Sequence, residues 1–157
     1  MRHFMVLLAM AAVALCGFGS AVSLAQDKAA AIAARQDTMK RQGEDLAVIQ
    51  AFAKADGDQA AALAKAEDLL AIAKTLPALF PPGTSLAEFP GKTGAKPVIW
   101  QEWDKFLERP AALQAEEEKL AAAIRSGDRP AAAAALAETG KNGCGACHSL
   151  YRERLPE

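Results

Sequence analysis

The sequence predicts an all-α chain folded as an antiparallel four-helix bundle, and three observations carry that prediction. Apolar residues recur at helical spacing over four separate stretches. No convincing run of β-branched residues with a period of two interrupts them. Breaks rich in Gly and Pro separate the stretches, and one of these breaks is long.

The first helix is expected from about Asp27 to Lys54. Ile32, Met39, Leu46 and Ala53 recur every seven residues, with Gln36 and Gly43 between them on the same stripe. The Asp56-Gly57-Asp58 break ends this helix and offers Asp58 as an N-cap for the next. The second helix is expected from Gln59 to Leu76, with Leu63, Ala66, Leu70 and Ala73 as its stripe and Pro77 as its stop. An irregular connection, LPALFPPGTSLAEFPGKTGAKP, follows. The third helix opens near Pro97, a good first-turn residue. Ile99, Trp103, Phe106, Pro110, Leu113, Leu120 and Ile124 lie along one face, and Pro110 is expected to kink or split it. Arg125-Ser126-Gly127-Asp128 closes the third helix, and Asp128 caps the fourth. That last helix runs through Leu136 and Gly140 to about Arg154. Four helices with one long connection, between the second and third, make a bundle.

Residues 1–25 read as a cleavable leader. Arg2 and His3 form a short basic start, an apolar run extends from Phe4 to about Phe18, and Ser23-Leu24-Ala25 suits small-residue cleavage. The apolar run is short for a membrane span, which needs about 20 residues. Acylation at Cys16 is disfavoured by the bulk of Leu15 before it. Cleavage after Ala25 leaves one domain, residues 26–157, with no stable membrane insertion. This mature chain has 132 residues and a net charge of −2, because Arg2 leaves and no acid does. Its mild acidity argues against a nucleic-acid partner.

Cleavage also strips the chain of soft-metal ligands. Only Cys144, Cys147, His148 and Met39 remain of its Cys, His and Met residues. Three of them stand in Cys144-Gly145-Ala146-Cys147-His148, the attachment signature of c-type haem. Two thiols at this spacing add across the two vinyl groups on one porphyrin edge. The adjacent imidazole can then bind iron from one face. A thioredoxin-like redox pair needs an α/β setting that the sequence lacks. A zinc site lacks further Cys or His ligands. A disulfide between Cys144 and Cys147 suits an exported chain but leaves His148 unexplained.

Four stretches carry a family resemblance: AARQDTMKRQG in the first helix, LPALFPPGTS at the end of the second, AKPVIWQEWDKF entering the third, and CGACHSLYR near the C-terminus. Over essentially the whole mature chain they resemble the class II cytochromes c, the cytochrome c′ family with its low-spin relatives. The resemblance implies one covalent haem c between the helices, near the C-terminal one. It implies thioethers at Cys144 and Cys147 and proximal iron ligation by His148. Arg152 matches a basic residue near the proximal face, although a helix-end Arg also complements the helix dipole. Arg35 and Gln36 match residues that hydrogen-bond haem propionates in relatives. Periplasmic residence follows from the same resemblance, and so does a homodimer formed through the first two helices.

Met39 matches the distal position, and the resemblance leaves two readings open there. With its sulfur on iron, the haem is six-coordinate and low-spin, suited to electron transfer with periplasmic redox partner proteins. With Met39 merely packed over an open iron, the protein binds NO or CO. The expectation favours the electron carrier and no enzymatic role. A peroxidase would want a second His as distal acid or base, and the mature chain has none.

Overall fold

The computed structural model describes the backbone of residues 17–155, with side chains from Asp27 onward. The expected leader, residues 1–25, therefore lies largely outside the described residues. The elements are α1 (Gly17–Ala53), α2 (Gln59–Thr75), a 3-10 turn (Leu76–Leu79), α3 (Val98–Gln101), α4 (Trp103–Arg125), α5 (Arg129–Glu138), a π-helical turn (Thr139–Gly145) and α6 (Ala146–Tyr151). Among the described residues there is no strand, only one isolated bridge between Ala95 and Arg152. α1 packs on α2 and α5, and α4 packs on α2, α5 and the π-helical turn. The long rods thus neighbour one another in a ring, with α1 and α4 on the diagonal, as a four-helix bundle requires.

Both expected N-caps are present. The Ala61 N–H donates to Asp58 Oδ1 at 2.8 Å, and the Ala131 N–H donates to Asp128 Oδ1 at 2.9 Å. Gly127 closes the turn between α4 and α5 at φ 76°, a conformation that favours glycine.

Four expectations need correction. The first helix begins at Gly17, about ten residues early. That segment contains no proline and extends a helix already nucleated downstream. In α2 the buried row is Ala62, Ala66, Leu69, Ile72 and Ala73, whereas Leu63 and Leu70 are half-buried at its margin. α2 touches both α1 and α4, so its buried sector is wide, and in an Ala-rich helix apolar spacing alone does not find the centre. The third helix does not break at Pro110. It breaks at Glu102, whose backbone leaves the helical region at φ −124° and ψ 45°, and α4 then runs on through Pro110. Burial of the ring offsets the hydrogen bond that proline cannot donate. The fourth helix is not uniform either. It widens into a π turn over Thr139–Gly145 and ends at Tyr151.

The π turn has a local cause and a tertiary one. Gly140, Gly143 and Gly145 weaken the α-helical preference there. Gly143 also packs directly on α4, where an added Cβ would lie 2.6 Å from Leu113 Cδ1. Beyond α6 the chain is extended. The Glu153 N–H donates to Gly94 O at 2.8 Å, and the Lys96 N–H donates to Tyr151 O at 3.0 Å. These bonds tie the C-terminus to the end of the long connection.

The two ends of the bundle are packed differently. One is solid, with Ile49, Phe52, Leu69, Leu120 and Ile124 closed around small alanines. The other holds Phe80, Ile99, Phe106 and Tyr151, with Met39, Trp100, Trp103 and Cys147 against them. At that end the Phe106 ring meets Phe80 edge-on at 4.8 Å and Tyr151 edge-on at 5.4 Å.

Candidate functional site

Two adjoining cavities, of about 410 and 200 Å³, open at the aromatic end. Met39, Phe80, Phe106, Cys147 and His148 border both. Arg35, Gln36 and Arg152 line the larger one, and Cys144 lines the smaller. The structure thus brings together every residue singled out from the sequence. α1 supplies Arg35 and Gln36, and Met39 one turn further on. The π turn and α6 supply Cys144, Cys147 and His148.

Arg35 is the best anchored of these. It is 4% exposed. Its guanidinium donates to Leu79 O at 3.2 Å, to Thr84 Oγ1 at 3.3 Å, to Thr84 O at 3.0 Å and to Thr93 Oγ1 at 2.8 Å. It also lies over the Phe80 ring, 4.6 Å from the centroid. All four acceptors are neutral, and burial pushes the guanidinium down to about 10. Arg35 is therefore a buried cation and not an exposed helix charge. Gln36 is exposed at the rim and donates to Lys92 O at 2.8 Å. Arg152 is exposed and extended rather than helical, yet its charge reaches His148.

The electrostatics select among chemistries. Burial pushes the Cys147 thiol up to about 11, and it raises Cys144 as well, with Glu117 adding to the effect. No disulfide links the two. Burial outweighs the Arg109 charge at Cys147, so neither thiol is stabilised as a reactive thiolate, which disfavours thiol redox chemistry and zinc. His148 is pushed down by burial and by the Arg152 charge, so its imidazole is neutral at pH 7 with a lone pair free for a metal. Met39 is half-buried, and its Sδ accepts a 3.5 Å hydrogen bond from Gln42 Nε2 one turn along α1.

These residues fit a haem. A buried cation is costly without a counter-charge. Arg35 has none among the described residues, and it lines the larger cavity beside Thr93 and Gln36. A propionate would supply that missing charge. The apolar walls of Phe80, Ile99 and Phe106 suit a porphyrin face.

Sequence reasoning missed several participants. Thr84 and Thr93 lie in the long connection, where no periodicity marks them, although both are buried and hold Arg35. Gln42 stands one turn beyond Met39, but a Gln in a helix gives no signal of a sulfur partner. Glu117 is enclosed in α4, and its neighbours in the sequence, Glu116 and Glu118, make the run look like a solvated face.

Comparisons with known proteins place the chain in a family. The sequence profile of the family described as Cytochrome C' matches residues 30–152. A cytochrome c' from Pararhodospirillum photometricum is 36% identical over 76% of this chain and 93% of its own length. A cytochrome c-556 from Agrobacterium tumefaciens is 32% identical over 75% of this chain and 93% of its own. A nitric oxide complex of a cytochrome c prime variant from Alcaligenes xylosoxidans superposes with a TM-score of 0.69 at 28% identity, covering 81% of this chain and 96% of that one.

Proposed function

The chain belongs to the cytochrome c′ family, and on that premise we propose that it is a periplasmic electron carrier whose iron is held between His148 and Met39. Its cofactor is haem c, bound covalently. The observation that carries the reading is that Met39 and His148, on different helices, border the same two cavities. The haem supplies a one-electron iron couple. Cys144 and Cys147 would provide the thioethers, and neutral His148 would offer a nitrogen to the iron. Met39 would offer a sulfur, with Gln42 restraining it. Arg35 and Gln36 would hold the propionates, and Arg152 would set the charge near His148. His and Met ligation raises the potential and keeps coordination the same in both oxidation states.

Domain 26–157, a leader cleaved after Ala25, and redox protein partners rather than a substrate complete the proposal. No helix among the described residues is long and apolar enough to cross a membrane. The nitric oxide complex of the Alcaligenes xylosoxidans protein favours a second reading, in which Met39 only covers an open iron that takes NO or CO. One spectrum of the pure protein separates the two. Low-spin ferric haem with a methionine–iron charge-transfer band supports the carrier. A high-spin ferrous spectrum that changes with CO supports the gas binder.

Acid-acetone treatment is expected to leave the haem on the polypeptide, because thioethers survive where axial bonds do not. Extraction of the colour into the organic phase would remove Cys144 and Cys147 from their assigned role. A homodimer through α1 and α2 is also expected. Within one protomer, Arg41–Asp68 and Lys65–Asp45 already join α1 to α2. Sedimentation should show a dimer of this chain. A monomer at every concentration rules it out.

A further inference from the structure

α4 carries a carboxyl that haem binding does not use. Glu117 lies one turn beyond Leu113, which lines the smaller cavity, and Glu117 is only 1% exposed. Its Oε2 is enclosed without a hydrogen-bond partner among the described residues. An ionised carboxylate in such a place is costly, so the neutral acid is favoured. Burial accordingly pushes its carboxyl up to about 8. α4 packs along the π turn that carries Cys144, and Glu117 is close enough to act on that thiol.

Apart from Arg109 of α4, which lines the smaller cavity and acts on Cys147, the other charges on the surrounding elements are engaged by other partners or exposed. On α2, Lys65 pairs with Asp45 of α1, Asp68 with Arg41 and Glu67 with Arg125, while Lys74 is exposed. Arg129 of α5 donates to the Phe52 and Gly57 carbonyls. Glu138 accepts from Asn142, and Lys141 is exposed. On α4 itself Glu116 pairs with Lys119, Glu118 accepts from Gln114, and Arg109 pairs with Glu108. Cys144 is the titratable group left facing Glu117, and once in a thioether it no longer titrates.

We propose that Glu117 takes up one proton from solvent when the haem attached at Cys144 is reduced, and releases it on oxidation. The inference rests on haem attachment at Cys144 but not on Met39 ligation. An electron arrives from a one-electron donor and lowers the positive charge on iron. In a poorly screened interior that charge favours carboxylate, so its loss raises the proton affinity of Glu117. The balance is one electron and one proton: iron(III) and carboxylate become iron(II) and carboxylic acid. The protein is thereby a carrier whose potential depends on pH.

The test is the midpoint potential of the holoprotein measured on either side of pH 8. One proton per electron shifts the equilibrium tenfold per pH unit, a fall of up to about 59 mV per unit. In wild type the potential is expected to fall with pH across this range. Glu117→Gln, which keeps the shape and cannot titrate, is expected to lose most of that slope. Glu117→Met is the second variant, with an apolar side chain of similar length. A redox-induced infrared difference spectrum should show a protonated-carboxyl band on reduction that both variants lack. The propionates are the same in all three proteins, so equal slopes in the variants and wild type overturn the proposal. Loss of colour in acid-acetone would instead point to failure of the attachment reading.

Discussion

Met39→Ala is expected to turn a low-spin haem into a high-spin one, lower its reduction potential and admit CO. The expectation rests on Met39 standing on α1 where both cavities meet, across from α6 and His148. Met39 is also the one Met among residues 26–157, so no other thioether can replace it. Loss of the sulfur opens the sixth position and removes the ligand that favours the ferrous state. Truncating the half-buried Met39 costs stability whichever role it has, by less than the about 2–5 kcal/mol of a fully buried Met, so stability does not discriminate. Spin state does, recorded before and after the substitution. If Met39 merely covers the iron, wild type is already high-spin at neutral pH and the variant only gains gas affinity. That outcome would move the protein to the gas-binding reading.

Arg35→Ala is expected to destabilise the holoprotein by about 3–5 kcal/mol. The change strips donors from Leu79 O, Thr84 O and the two Thr hydroxyls, all at the mouth of the long connection. It also removes the cation over Phe80 and the charge that would face a propionate. Without that positive charge the ferric state is favoured, so the potential falls together with the stability. Arg35→Lys keeps the charge but not the planar fork. It should recover much of the potential and little of the stability. Denaturant unfolding followed by haem absorbance measures the first effect, and redox titration the second. A loss below about 1 kcal/mol in Arg35→Ala would show that the connection is held by other contacts.

Much of the site was legible because its chemistry is local. Cys144, Cys147 and His148 fall within five residues, and the spacing is set by the porphyrin edge, so no tertiary knowledge is needed to read it. Helix caps are equally local, and Asp58 and Asp128 cap as expected. Met39 and Arg35 were legible only through resemblance, since a Met or an Arg on a helix has many uses. Their convergence with His148 depends on the bundle closing.

Taken alone, the sequence determined the helices, their caps, the long connection and the covalent haem motif, because each depends on neighbours a few residues apart. Tertiary structure decided the rest. Arg35 became a buried hub because the connection folds back across 44 to 58 residues to surround it with neutral acceptors. Glu117 became a buried carboxyl of raised proton affinity because α4 is packed by α2, α5 and the π turn over a segment that reads as a charged surface. Pro110 stayed within a continuous helix because its ring is buried against the cavity wall. The common reason is that burial is set by what packs from elsewhere in the chain. Burial decides whether a charge is solvated, paired or protonated.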